Sequence, residues 1–558
     1  MSTNFSLLYP NGEAGFKKLS DISIHDLGLD FICENITEKY EEQTLFLNIF
    51  SKMSDNPFDT AYRCDVFEDI YNNPQMCEKL MEVLGHIDYE RKYSGLSGRY
   101  EETSSAWELL HNLAEISDYI KSVEVMHETL CTVELKSAGM QNLKAHIKDL
   151  YENNGFAELK KDISQLKAST SSLQSVTIGI NLNEKYEANG IGLVSFNKKP
   201  FTKSNVIENF AKKIASKDTI NEDAEWNDDF KYHSLTAASD ELIARLETMA
   251  RANDPRTENA TFYMDKIANM FIGNIVHKLQ TVLRKYVYIE ITDITNLIPE
   301  FIFYIRFANF IRSMQEKGFK FCKPLPGTSN SSCKKMNAKG IYNFKLLSAF
   351  NREMTAQQIV PNNLIFDEEH LVYILTGANR GGKTTITQAV GLLFCLAQAG
   401  LYVPGELFEF MPADGIFTHF PADEDKTMEL GRLGEECMRF KQLYTGATRT
   451  SLLLLNETYS TTSFEEGYFI ARDSVKAILK KGIYTIYNTH MHKLAFDIDE
   501  INAESEFKAA SLIVKAKNGE RSFKVEVAPP EGKSFARDIA EKYGVTFEML
   551  TGEIQAVF

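Results

Sequence analysis

The stretch TGANRGGKTT, residues 376–385, decides the fold. It fits GxxxxGK[ST] with Gly377, Gly382, Lys383 and Thr384. An apolar run, LVYILTG (371–377), leads into it, and a helix-forming run, ITQAVGLLFCLAQAG (386–400), leads out. Strand, glycine loop and helix in that order form a phosphate-binding loop. The glycines let backbone N–H groups close around phosphates, and the helix N-terminus adds partial positive charge. The expected cradle is Gly377, Asn379, Gly381, Gly382, Lys383, Thr384 and Thr385. Lys383 is expected to reach the β/γ-phosphates and the Thr384 hydroxyl to ligate a metal, so ATP and Mg²⁺ are the expected cofactors.

A second stretch, SLLLLNETYS (451–460), belongs with the first. Four leucines before two polar residues predict a buried parallel strand that delivers side chains to its carboxyl end. Glu457 is the expected general base orienting the attacking water. Asn456 stands where an aspartate usually holds the metal's water shell. An amide accepts a hydrogen bond but brings no negative charge, so weaker Mg²⁺ binding or slower turnover is expected. A third apolar run, GIYTIYNTH (482–490), puts His490 where it can sense a γ-phosphate. His490 and His492, read as two apart on a strand, would face one side, but no Cys or third His nearby completes a metal site.

Working outward, 558 residues are too many for one core, so two to four domains are expected. The eight cysteines (33, 64, 77, 131, 322, 333, 395, 437) include no CxxC spacing, which predicts reduced thiols. No apolar run is long enough to span a bilayer, and the N-terminus lacks the pattern of a secretion signal, so a cytoplasmic protein without membrane contact is expected. The net charge of −16, with no run of five basic residues, weighs against a broad nucleic-acid surface.

Apolar residues recur at helical spacing over 20–165, for example Leu109, Leu110, Leu113 and Ile116. SVTIGINLNEKYEANGIGLVSFN (175–197) switches to two β-rich runs, a hairpin. Helical texture returns over 204–250 and 258–318. CKPLPGTSNSSCKKMNAKG (322–340) has linker composition. After 340, strands alternate with helices, which implies a parallel sheet. The expected fold is a C-terminal α/β P-loop ATPase domain preceded by an all-α region with a small β-hairpin insert. The expected division is 1–125 helical core, 126–264 lever helices with the hairpin, 265–322 returning lever and core, 323–340 linker and 341–558 ATPase domain.

These motifs resemble a known family. TGANRGGKTT is similar to the TGPNMGGKST loop of the MutS mismatch-repair ATPases. In order along the chain, IVPNNL (359–364) resembles their VPND segment, GLYVPGE (400–406) their G-x-x-VPA turn, and GIFTHFPADED (415–425) their IFTRIGASDD. ATRTSLLLLNE resembles AT-x-x-SLVLLDE, and NTHMHKL resembles ATHYHEL. The resemblance covers roughly 200 residues. It extends more weakly to FEDIYNNPQMCEKLMEVL (67–84) and to 275–301, similar to core and lever helices. It implies an ABC-like ATPase domain, a homodimer with composite ATP sites, and Ile359 against adenine.

The chain departs from the family pattern in places. The mismatch-reading and connector domains are expected to be absent, and so is a nuclease-like domain after the ATPase. Phe156-Ala157-Glu158 has the form of the family's wedge but lies in a helical pattern, so it is expected to pack a helix. ELGRLGEECMRFK (429–441) carries Gly431 near the place of the signature serine, with the Gly431 and Gly434 N–H groups expected to face a partner subunit.

The resemblance implies a DNA-binding ATPase of repair or recombination type, an ATP-gated dimeric clamp that reads double-stranded or branched DNA by shape. Lys160, Lys161, Lys198, Lys199, Lys203, Lys212 and Lys213 are the candidate basic stripe. Two alternatives stand beside it. One is an ATP-gated module acting on a protein or ribonucleoprotein; the other is a nucleotide-binding scaffold that hydrolyses weakly.

Overall fold

The structure is a computed structural model that describes residues 6–13, 15–93, 106–170, 175–182, 184–185, 188–197, 292–327, 336–349, 356–377, 381–421, 431–517, 520–530 and 543–551. Asn379, the boundary at 264/265, and Lys198, Lys199, Lys203, Lys212 and Lys213 lie outside the described residues. The chain divides into two units. One comprises Met1–Glu78, Val133–Leu143 and Asn296–Phe558; the other comprises Lys79–Thr132 and Lys144–Thr295.

The first unit opens with β1 (Lys17–Lys18), α1 (Asp21–Leu27), α2 (Leu29–Ile36), α3 (Tyr40–Ser51), β2 (Lys52–Met53) and α4 (Pro57–Asn72). The breaks follow from local chemistry. Ser20 caps α1 by accepting from Ser23 N, and Gly28, in the left-handed region at φ 72°, separates α1 from α2. Asn56 caps α4 by accepting from Phe58 N, with Pro57 at the first helical position.

Further helices are α5 (Pro74–Tyr93), α6 (Ala106–Cys131), α7 (Ala138–Glu152) and α8 (Asn154–Thr170). In the second unit, β3 (Ser175–Leu182) and β4 (Ala188–Asn197) pair antiparallel. Phe156 is buried in α8 beside Tyr151, as helix packing requires. Lys160 of the same helix is ion-paired to Glu124.

α9 (Thr292–Glu316) returns to the first unit and packs an aromatic cluster against α3, with Phe303 and Phe307 edge-on to Phe46 and Phe50. Arg306 holds the Glu42 carboxylate through two bonds, at 2.9 and 3.1 Å.

The C-terminal part adds β5 (Phe321–Cys322), β6 (Leu325–Pro326), β7 (Met336–Ile341), α10 (Phe344–Ala349), β8 (Asn362–Phe366), β9 (Val372–Thr376) and α11 (Lys383–Gln398). It continues with β10 (Val403–Pro404), β11 (Leu407–Phe410), β12 (Ile416–His419), α12 (Arg432–Gly446) and β13 (Leu452–Asn456). Then come α13 (Phe464–Lys481), β14 (Tyr484–Asn488), α14 (His492–Phe496), β15 (Ala509–Lys517) and β16 (Glu520–Val527). A six-stranded sheet runs β12-β13-β14-β9-β15-β16, parallel except for β16. Every residue of β9, β13 and β14 is buried, as in a sheet covered on both faces. A second sheet runs β6-β11-β7-β8. Part of the expected linker 323–340 is therefore strand: Met336, Ala338 and Ile341 of β7 point into a core that its polar composition did not reveal.

The N-terminal helices and the six-stranded sheet share one core. α1 lies against β12, where Asp26 Oδ2 accepts from Thr418 Oγ1 at 2.7 Å and from Arg439 Nη2 at 3.2 Å. Arg63 of α4 is fully buried between the Tyr9 and Phe16 rings and donates to Leu8 O at 2.6 Å and to Gln398 O, at the end of α11, at 2.8 Å. Gly391 lets α11 approach both α1 and β13; a Cβ there would sit 2.4 Å from Leu27 Cδ2 and 2.8 Å from Leu454 Cδ1.

Candidate nucleotide site

The carboxyl ends of β9, β13 and β14 lie side by side, because Asn488 of β14 is in register with Asn456 of β13 and with Leu375 of β9. Ligands of parallel sheets bind at such an edge. Gly377 follows β9 at φ 134° and Gly382 caps α11 at φ 90°, conformations that favour glycine. Gly381, Gly382, Lys383, Thr384 and Thr385 line a pocket of about 610 Å³. Glu457 and His490 line the same pocket, 70 to 110 residues further along the chain.

Lys383 is buried and donates to Gly377 O at 3.0 Å. Burial pulls its ammonium below the ordinary lysine range, and the Glu457 carboxylate partly opposes this. Thr384 Oγ1 donates to Asn456 Oδ1 at 3.2 Å, and Asn488 Nδ2 donates to that same oxygen. Thr384 and Asn456 offer two neutral oxygens. That donor set fits Mg²⁺, which takes oxygen ligands and keeps several waters, but it carries one negative charge fewer than an aspartate would supply.

Glu457 sits in the left-handed region at φ 55°, and Tyr459 follows at φ 65°. For non-glycine residues these conformations are uncommon and costly, and they cluster at functional sites. The Glu457 N–H donates to Asn488 O at 2.8 Å, which fixes the turn. Its Oε1 lies 2.7 Å from His490 Nε2. That bond, with the charges of His490 and Lys383, holds the Glu457 carboxyl below the ordinary glutamate range against the opposing effect of burial. A carboxylate kept ionised beside a P-loop is competent to orient a water.

An apolar strand thus feeds a glycine loop, with an acid from the end of β13 and a histidine just past β14 beside it, and the sequence that builds this site is similar to known proteins. A family model described as MutS domain V matches residues 373–553, and one described as MutS2 N-terminal domain matches 59–317. The chain belongs to the MutS family. It is 28% identical over 199 residues to the DNA mismatch repair protein MutS of Streptococcus thermophilus, covering 35% of this chain and 23% of that protein. It is 34% identical over 143 residues to MutS of Haloquadratum walsbyi, covering 25% and 15%. It is 24% identical over 306 residues to Endonuclease MutS2 of Finegoldia magna, covering 53% and 37%. The matched stretches thus span well under half the length of these relatives. MutS domain V is an ABC-like P-loop ATPase domain, and the fold of this MutS-family chain is mixed α/β.

Within the MutS-family frame, Gly381, Gly382, Lys383, Thr384, Thr385, Glu457, His490 and Ile359 meet at one pocket, and Asn456 meets Thr384 just behind it. Gly377 stands beside the pocket as acceptor for Lys383. Two expectations change. β14 ends at Asn488 and His492 opens α14, so His490 and His492 do not share a strand face. Among the described residues no group of three or more metal-ligating side chains forms. The Gly434 N–H is committed to Gly431 O at 2.8 Å inside the first turn of α12, so it does not face outward.

Three residues went unread in the sequence. Phe523 of β16, at φ 54°, forms a wall of the pocket, and Tyr342 forms another. Asn362 clips β8 to β16: its Nδ2 donates to Phe523 O at 3.2 Å and its Oδ1 accepts from Val525 N at 2.8 Å. No local pattern marks a single phenylalanine some 140 residues beyond the P-loop.

Proposed function

We propose that this chain binds ATP with Mg²⁺ in the P-loop pocket, hydrolyses it, and uses the cycle as a DNA-directed, ATP-gated homodimeric clamp of the repair or recombination type. The observation that carries the reading is the convergence of Lys383, Thr384, Glu457 and His490 on one pocket at the sheet's carboxyl edge. Lys383 and the amides of the glycine loop bind the phosphates. Thr384, backed by Asn456, holds the metal, which when bound neutralises charge on the phosphates. Glu457 orients the attacking water, and His490 fixes the Glu457 carboxylate and reports loss of the γ-phosphate. Ile359, Tyr342 and Phe523 enclose the base. The names of the relatives, a mismatch repair protein and an endonuclease, support DNA as the partner. The division into core, levers, clamp hairpin and ATPase domain belongs to the same proposal.

Two other readings each rest on a specific observation. The charge of −16 favours a protein or ribonucleoprotein partner. The neutral Thr384–Asn456 pair favours a nucleotide-binding scaffold with weak turnover. Steady-state ATP hydrolysis decides among them, measured alone and with homoduplex, mismatched duplex, four-way junction and RNA at two salt concentrations. Stimulation by branched DNA that salt abolishes is the expected result. Hydrolysis indifferent to every nucleic acid supports the protein-partner reading, and bound but unhydrolysed ATP supports the scaffold.

A further inference from the structure

The pocket departs from an ordinary P-loop site in a matched pair of amides. Asn456 and Asn488 stand opposite each other in the β13–β14 register, and both are buried, Asn488 fully. Asn488 Nδ2 donates to Asn456 Oδ1, the oxygen that also accepts from Thr384. The bond from Glu457 N to Asn488 O locks the two strands at this point. Among the described residues, the Asn488 Oδ1 has no hydrogen-bond partner. A buried orphan acceptor costs stability, so this side chain is not explained by a saturated polar network.

A carboxylate has two equivalent oxygens and presents an acceptor whichever way it turns. An amide has one acceptor end and one donor end. Unrestrained, the Asn456 amide could turn its NH₂ toward the Thr384 hydroxyl and the metal it is read to ligate, which would repel a cation. With Asn488 Nδ2 facing β13, turning the Asn456 amide alone would set NH₂ against NH₂ in a dry site.

We propose that Asn488 is a positioning residue that holds the Asn456 amide oxygen toward Thr384, allowing a neutral side chain to do the work of a carboxylate at this metal site. The inference rests on the ATP–Mg²⁺ reading of the pocket. It concerns orientation only, with Asn488 touching neither nucleotide nor metal.

The test is a binding measurement on the full chain. Affinity for a fluorescent ATP analogue is compared in Mg²⁺ and in EDTA for the wild type, Asn488→Ala, Asn456→Asp and the double variant. In Asn488→Ala the Mg²⁺-dependent gain in affinity should fall about fivefold, the effect of one hydrogen bond of ordinary net strength, while affinity in EDTA stays unchanged. In the Asn456→Asp background the same alanine should change the gain by less than about twofold, because a carboxylate needs no orienting. Equal losses in both backgrounds would mean that Asn488 merely packs the strands and would overturn the inference, as would no loss in Asn488→Ala. Should the alanine variant fail to fold by melting, Asn488→Thr replaces it, keeping a strand-forming side chain too short to reach Asn456. A wild type that binds nucleotide in neither condition would overturn the ATP reading itself, an outcome distinct from the others because it precedes any comparison of variants.

Discussion

At the residue scale the proposed chemistry turns on Glu457 and Asn456. Glu457 is the one carboxylate lining the described pocket, is held ionised by His490, and occupies a left-handed turn that a strand end would not adopt without cause. Glu457→Gln keeps the shape and removes the carboxylate proposed as base. Hydrolysis should drop about 10²- to 10⁴-fold with ATP binding retained, which single-turnover assays beside equilibrium binding would reveal. Asn456→Asp restores a negative charge next to Thr384. The Mg²⁺ concentration giving half-maximal hydrolysis should fall, and a titration that does not move would remove Asn456 as the limit on metal binding.

At the element scale α11 is the member through which the site joins the rest of its unit. Its first turn is the proposed phosphate cradle, its middle passes Leu27 and Leu454 at Gly391, and its last residue accepts from Arg63. Gly391→Ala puts a methyl group into space already filled on both sides. Overpacking of this kind costs about 1–3 kcal/mol, readable as a lower denaturant midpoint at unchanged slope. The α3–α9 pairing carries a pH dependence. Burial pushes the Glu42 carboxyl up, but hydrogen bonds from Arg306 and Thr37 outweigh it and hold it below the ordinary glutamate range. With the folded-state pKa depressed, the stabilisation is present above the ordinary glutamate value and is lost as pH falls through the depressed one. The difference in melting temperature between wild type and Glu42→Gln should therefore be largest near neutral pH and vanish in acid.

At the scale of the whole molecule, sequence distance and spatial distance part company. Residues from the start of the chain complete the core of the ATPase unit: Ser6 Oγ and Leu7 N each donate to Glu300 at 2.6 Å, and Asp26 reaches Thr418 and Arg439. A fragment of residues 296–558 alone would expose the faces that α1, α3 and α4 cover. It should be insoluble or melt well below the full chain, and co-expression with residues 1–78 should restore soluble material that binds ATP. A fragment as stable as the full chain would show that the N-terminal helices are dispensable to that core.

Much of the site was legible in the sequence because its signals are local. The P-loop needs glycines, a lysine and a hydroxyl at fixed spacing, and a doubly covered strand needs an unbroken apolar run; both can be read within ten residues. Lys383, Thr384, Asn456, Glu457 and His490 were singled out that way, and the structure brings them to one edge of the sheet. The order of the strands was not, because β12, β13, β14, β9 and β15 are neighbours only through crossovers. Nor was the strand β7 inside a stretch of linker-like composition, since pairing to β8 and β11, not propensity, makes it a strand. Tertiary structure alone decided that Phe523 walls the pocket, that Asn488 meets Asn456, and that the first residues of the chain seal the ATPase core. Each of these depends on which segments pack side by side, and packing energy is summed over contacts between residues that no sequence window contains together.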